Sequence, residues 1–309
     1  MPTPDQIRRV NARYHDLAAE AYDGKWGIDF GAGAQAQVRR KLAKALGAPP
    51  TPVGRALEVG AGTGYFSLNL AQLGLIAEPV ATDISPAMLE RLAQSARRLG
   101  LAVETTRCDA AALPFADASF ELVLGHAVLH HLPDVEGALR EFRRVLRPDG
   151  RVAFCGEPSW LGDRLAALPK RLGLAVAPLW RVALGAGARP GGPGSAEGAS
   201  ERDGLEPWVD VHTFAPADLR RSLERAGFTE ARVAGEELAA GWFGWFNRSL
   251  EATAAPAEIP RAWRQYAYRG YLALQRVDAL LEPRLPPAAC YNLLVSARAP
   301  SLEATVGGR

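Results

Sequence analysis

Three glycines at alternate positions, Gly60, Gly62 and Gly64, close the apolar run Leu57-Glu58-Val59 and open a segment of helical periodicity from Tyr65 to Leu73. Glycine has no Cβ, so a bend built this way turns tightly and lets a ligand come close to the backbone. A strand, a side-chain-free bend and a helix in succession make the first half of a βαβ unit, which needs further parallel strands to pair with. Close packing of strand on helix explains a lone glycine bend equally well, so the rest of the chain has to decide.

From Ala56 to Cys155 short apolar runs alternate with helical periods. The runs predict strands at 55–59, 77–82, 102–107, 120–124 and 150–155, and the periods predict helices at 65–73, 86–99 and 134–146. Ser85-Pro86 is a favourable cap-and-proline start, and Arg147-Pro148-Asp149-Gly150 stops a helix and turns into a strand. Past Glu157 the alternation breaks down, and 185–204, rich in Gly, Pro, Ala and Ser, reads as a mobile loop. A helix at 216–226 capped by Gly227, a strand at 229–234 and a last strand at 291–297 restore the pattern around a helical excursion. The expected class is α/β: a Rossmann-like, doubly wound, mostly parallel sheet of seven strands with helical cap insertions. The expected divisions are a helical lid (1–50), a cofactor-binding core (51–157), a cap with its loop (158–210), a core helix and strand (211–236), a second helical cap (237–289) and a last strand with tail (290–309).

Acids follow the expected strands at regular intervals. Thr82-Asp83-Ile84-Ser85 ends the second, Cys108-Asp109-Ala110 follows the third, Gly125-His126-Ala127-Val128-Leu129-His130-His131-Leu132-Pro133 follows the fourth, and the Arg147 to Gly150 turn precedes the fifth. The glycine spacing is Gly-x-Gly-x-Gly, whereas the dinucleotide fingerprint is Gly-x-Gly-x-x-Gly. With these five motifs in order, the first half of the chain resembles the class I S-adenosylmethionine-dependent methyltransferases, and within them the ubiquinone/menaquinone-biosynthesis-like (type 11) small-molecule group. The resemblance implies S-adenosyl-L-methionine as cofactor, with Glu58, Gly60, Ala61, Gly62, Thr63 and Gly64 around its methionine end. It implies that Asp83 and Ile84 meet the ribose and that Asp109 and Ala110 meet the adenine. His126 stands near the cofactor, and Tyr14, Tyr22 and Trp26 fold over it from the lid. Packing, capping and turn roles fit each of these residues singly: Asp83 also suits a cap for the helix at Pro86.

For an acceptor whose proton must leave, a general base is useful. The candidates are Glu157, at the carboxyl end of the fifth strand, for which a capping or salt-bridge role is the alternative, then His131 and His126; His130 is read mainly as structural. Cys108, Cys155 and Cys290 are far apart and odd in number, which argues against a disulfide framework or a zinc site of close cysteine pairs, and no metal is expected. The aromatics Trp242, Phe243, Trp245, Phe246, Trp263, Tyr266, Tyr268 and Tyr271 suit a helical core or an apolar pocket.

With 36 basic against 34 acidic residues the net charge is +2, which lacks the surplus expected for nucleic-acid binding. No apolar run approaches the roughly 20 residues of a spanning helix, and the first residues lack a signal-peptide core, so a cytoplasmic location is expected. Arg164, Lys170, Arg171 and Arg181 among leucines fit a solvated cap helix or a peripheral membrane contact. The reading is thus a methyltransferase of a small, largely apolar molecule at oxygen or carbon. A lipid or quinone acceptor at a membrane surface is its variant, and a nicotinamide-dependent oxidoreductase and a non-catalytic cofactor-binding protein are its rivals. The oligomeric state is left open.

Overall fold

The computed structural model describes residues 3–189, 204–205 and 208–301. In chain order the regular elements are α1 (Pro4–Ala18), α2 (Tyr22–Trp26), α3 (Ala32–Leu46), β1 (Val53–Val59), α4 (Tyr65–Gln72), β2 (Ile76–Asp83), α5 (Pro86–Leu99), β3 (Glu104–Arg107), β4 (Phe120–His126), α6 (Val135–Val145), β5 (Leu146–Pro158), α7 (Trp160–Leu184), α8 (Pro216–Arg225), β6 (Thr229–Glu236), α9 (Ala239–Glu251), α10 (Arg261–Leu281) and β7 (Asn292–Arg298). The seven strands form one sheet in the order β3-β2-β1-β4-β5-β7-β6. Pairings β1–β2, β1–β4, β2–β3 and β4–β5 are parallel. The α/β class, the seven strands and the mostly parallel sheet agree with the expectation from sequence.

Local chemistry accounts for the elements. In β1 Ala56, Leu57, Glu58 and Val59 are all buried, as strands covered on both faces require. Ser85 accepts the Met88 N–H at 3.2 Å and starts α5, with Pro86 in its first turn. Asp134 does the same for α6 through Gly137 at 2.8 Å. Phe66, Phe120, Phe142 and Phe154 are fully buried among the helices and strands of this layer.

Two elements differ from expectation. β5 begins at Leu146 and not at Gly150: its register against β4 jumps between Phe120 and Leu122, and Asp149 at φ +65° takes up the irregularity, so the turn lies inside the strand. The stretch after Glu157 is a single 25-residue helix, α7, whose start is capped by Ser159. Of the loop expected at 185–204, Gly185 is the left-handed cap of α7 and Ala188 bridges to Ala254, whereas 190–203 lie outside the described residues.

The chain divides into two compact units, one of residues 1–157, 205–234 and 294–309, the other of 158–204 and 235–293. The first contains most of the sheet. In the second, α7 packs on α9 and α9 on α10, and Asp278 accepts the N–H groups of Leu238, Ala239 and Ala240 at 2.9–3.0 Å, which satisfies the start of α9. No helix among the described residues is long and apolar enough to cross a membrane.

Candidate active site

Strand order reverses between β1 and β4, and ligands of open α/β sheets bind outside the carboxyl ends of strands at such a switch point. The glycine bend leaves β1 there, and the segment from His126 to His131 leaves β4 there. A separate cleft lined by Leu46, Val53, Glu121 and Arg147 opens at the opposite ends of the same strands, away from these motifs.

The three glycines of the bend do different work. A Cβ on Gly60 would lie 2.3 Å from Val128 Cγ2, and one on Gly64 would lie 2.9 Å from Leu68 and Leu92, so these two exist for packing. At Gly62, with φ +52°, the nearest atom would be a Tyr22 ring carbon at 3.9 Å. Only Gly62 keeps open space beside its backbone. Glu58 does not line that space: it is buried and its Oε2 accepts the Ser67 N–H at 2.8 Å, holding the first turn of α4. Burial pushes its carboxyl up to about 7. The Ala61 N–H donates to Thr82 O, tying the bend to β2.

Asp83 accepts the Gly62 N–H through Oδ2 and the Ser85 N–H through Oδ1, each at 2.8 Å. The helix cap at Pro86 is Ser85, so Asp83 is not needed for it. Burial raises the Asp83 carboxyl above its ordinary range, against the opposing charge of His15, and burial likewise lowers His15. Tyr22, beside Asp83, has its hydroxyl pushed up by burial and by that carboxylate. Asp109 lies in the loop after β3, where its Oδ1 accepts the Ala111 N–H and its Oδ2 sits 2.5 Å from Arg8 Nε; Ala110 beside it is buried.

Helix α1 therefore meets both acids. Arg8 lies on Asp109, His15 near Asp83, and Asp16 accepts from Ser85 Oγ at 2.5 Å. Of the expected lid aromatics, Tyr22 reaches the bend, Tyr14 is buried with its hydroxyl accepting from Lys25 at 3.4 Å, and Trp26 is partly exposed under Lys25. Arg8, His15, Asp16 and Asp210 were missed from sequence. The available signal was polar residues at helical spacing, 8, 11 and 15, on the side of α1 that is otherwise apolar.

Glu157 has the geometry of a capping and ion-pair residue, the alternative to its reading as a base. It is fully buried; Oε1 accepts the N–H groups of Val128 and Leu129 at 3.0 Å, and Oε2 those of His130, backbone at 3.1 Å and ring Nδ1 at 2.8 Å. With four donors on two oxygens it positions the turn after β4. Burial opposes its charge, yet the His130 bond and those N–H groups hold it below the usual carboxylate range. For His130 burial again opposes charge, and Glu157 outweighs it, holding the ring above the ordinary histidine value. His126 packs elsewhere, stacked on Phe66 at 5.1 Å and edge-on to Tyr65 at 5.6 Å.

His131 is the histidine that joins the lid. Its ring is 5.5 Å from that of His15 and 4.0 Å from that of His130, and Nδ1 is 3.1 Å from Val209 O. Burial, then the charges of His130 and His15, lower it well below the ordinary value, so it is neutral near pH 7. One ligand atom from each of His130, His131 and Asp210 lies within a 4.8 Å cluster, a grouping the sequence did not suggest. Glu157, Val209 and the largely exposed Asp210 already give those ring nitrogens hydrogen-bond or charge partners.

The residues at the bend fit S-adenosylmethionine. Thr63 Oγ1 is buried there with no hydrogen-bond partner among the described residues, as is Asp23 Oδ1 in α2, and buried polar atoms left in that state call for a polar ligand. Open backbone at Gly62 and acids at the tips of β2 and β3 complete a donor and acceptor set suited to a zwitterion, a ribose and an adenine.

Comparison with known proteins agrees. The malonyl-[acyl-carrier protein] O-methyltransferase of Halorhodospira halophila is 38% identical over 150 residues, 48% of this chain and 48% of that one. The demethylmenaquinone methyltransferase of Roseiflexus castenholzii is 36% identical over 159 residues, 50% of this chain and 62% of that one. The chain thus spans about half the length of the curated relatives it matches. The phosphoethanolamine N-methyltransferase 2 of Haemonchus contortus, solved with S-adenosyl-L-methionine, superposes with a TM-score of 0.58 at 16% identity over 97% of this chain and 60% of that one, which is a likeness of fold. Residues 57–154 match the methyltransferase domain family, and that segment holds the glycine bend and the acids that follow it.

Proposed function

We propose that the protein transfers a methyl group from S-adenosylmethionine to oxygen or carbon of a small, largely apolar acceptor. The observation that carries the reading is the open backbone at Gly62 beside the buried Asp83 carboxyl, flanked by the orphaned Thr63 hydroxyl. When bound, the cofactor supplies an electrophilic methyl on an excellent leaving group. The bend and Thr63 would hold its methionine end, Asp83 with Ile84 its ribose, and Asp109 with Ala110 its adenine. Tyr14, Tyr22 and His15 would exclude water from above, which strengthens every charge interaction beneath.

His131 is the acceptor-side residue in this reading. Its ring is neutral near pH 7, and if Nδ1 carries the proton toward Val209 O, Nε2 keeps a lone pair that can take an acceptor's proton as the methyl arrives. Glu157 holds the turn that carries it. The apolar character of the acceptor rests on the demethylmenaquinone relative. A cytoplasmic location accompanies this reading.

Calorimetry with S-adenosylmethionine and S-adenosylhomocysteine tests it. Micromolar binding of both, weakened at least about 100-fold by Asp83→Ala, is the expected result. Saturable binding of a reduced nicotinamide nucleotide with neither sulfur compound bound would replace the reading with an oxidoreductase. Cofactor binding with no label passed from a methyl-tritiated donor to extract components would replace it with a non-catalytic binder.

A further inference from the structure

Helix α7 has its side chains inside out. Its buried positions Gly162, Ala166, Pro169, Gly173 and Ala177 recur every three or four residues and are all small. A Cβ at Gly173 would lie 2.7 Å from Phe246 O, so close approach to α9 requires that small face. The large apolar residues Leu161, Leu165, Leu168, Leu172, Leu179 and Val182 recur with the same period on another arc, and all are exposed: Leu168 by 62%, Leu179 by 76% and Val182 by 82%. A helix apolar on both faces belongs in surroundings apolar on both sides, and no described residue covers the outer one.

The charges beside that stripe indicate what covers it. Arg164, Lys170, Arg171 and Arg181 stand against a single acid, Asp163, which pairs with Lys170 at 2.9 Å. Arg164 lies over the half-exposed Trp160 ring at 4.9 Å and Arg171 has no acidic partner among the described residues, whereas Lys170 also lies over the Trp245 ring at 4.2 Å and Arg181 donates to Thr253 O at 3.4 Å, so the charges that border the stripe are Arg164 and Arg171. At 100° per residue Arg164 and Arg171 fall along one border of the leucine arc. In the same unit α10 carries Arg261, Arg264, Arg269 and Arg276 against Asp278, which caps α9. Self-association through the α7 stripe would bring Arg164 and Arg171 of two copies onto one seam. An anionic lipid surface takes both features: leucines and Trp160 enter the acyl boundary while the arginine stems reach back to the headgroups.

We propose that α7 is a membrane-docking helix that seats the second unit on an anionic bilayer surface. This goes beyond the methyl-transfer reading and does not depend on it, since no α7 residue belongs to the cofactor site.

The test is co-sedimentation of the full chain with vesicles of phosphatidylglycerol and phosphatidylcholine mixed, against phosphatidylcholine alone, with sedimentation velocity run without lipid. Expected are binding to the anionic vesicles that weakens with salt, and a loss of about tenfold or more in the double variant Leu168→Glu/Leu179→Glu. That variant should keep its far-ultraviolet circular dichroism and its S-adenosylhomocysteine affinity, which separates docking from misfolding. The double variant Arg164→Gln/Arg171→Gln should lose the preference for anionic lipid and keep the residual binding to neutral vesicles. No vesicle binding, binding indifferent to the leucine changes, or a lipid-free dimer that the leucine variant dissociates would each overturn the proposal.

Discussion

Glu157 Oε2 lies 2.8 Å from His130 Nδ1, and the remaining capacity of that carboxylate is taken by three backbone N–H groups of the same turn. A buried charge so fully engaged is costly to orphan. Glu157→Ala is expected to lower stability by about 3–5 kcal/mol, read as a drop in denaturant midpoint at about pH 6. The pH dependence has two limbs. Glu157 is held low in the folded state, so its contribution exists above the unfolded carboxylate value and disappears as pH falls through the folded one. His130 is held high, so its contribution is complete below 6.5 and disappears as pH rises through the folded value. His130→Gln should flatten the alkaline limb; an unchanged limb would show that another group causes it.

Glu58 should behave in the opposite sense. Its folded-state value of about 7 exceeds the ordinary 4.5, so between those values the unfolded chain releases a proton that the folded chain keeps. Stability therefore falls as pH rises across this window, by at most about 3 kcal/mol. Glu58→Gln still offers an acceptor to the Ser67 N–H and should lack the fall. Urea titrations at several pH values between 4.5 and 7 compare the two chains directly.

Substitutions at the bend should separate packing from ligand approach. Gly60→Ala meets Val128 and Gly64→Ala meets Leu68 and Leu92, so each is expected to cost about 2–4 kcal/mol. Gly62→Ala has room and should cost about 1–2 kcal/mol, all of it from the left-handed backbone, while weakening S-adenosylhomocysteine binding far more than its stability loss explains. Thermal melts paired with calorimetry measure both quantities. Equal affinity for Gly62→Ala and wild type would move the ligand away from this bend.

In the helical unit the sensitive carboxylate is Asp278, which is almost fully buried and holds three N–H groups at the start of α9. Asp278→Ala should destabilise that unit by about 2–4 kcal/mol, and hydrogen exchange should quicken in α9 before it does in β1 or β4.

What could be read from sequence follows the range of the interactions involved. The caps at Ser85 and Asp134, the bend and the acids after β2 and β3 are local signals spanning a few residues, and the helices and strands appear within a few residues of where they were expected. Sequence could not choose between a base and a capping role for Glu157 because its partners are backbone groups 27–29 residues away, which no side-chain pattern encodes. Helix α7 was not recognised as one element because Pro169 and Pro178 lie inside it and its apolar residues run around the whole circumference. His15 and Arg8 escaped because their partners, Asp83 and Asp109, are ones that the glycine-loop resemblance assigns to a ligand.

Two polar contacts of α1, Arg8 with Asp109 and Asp16 with Ser85, lie on one helix of fifteen residues with the His15 ring, which feels the Asp83 charge, between them. A movement of the helix as a whole would carry Arg8, His15 and Asp16 from their partners together. If that movement gates the site, weakening either contact should speed the escape of bound S-adenosylhomocysteine.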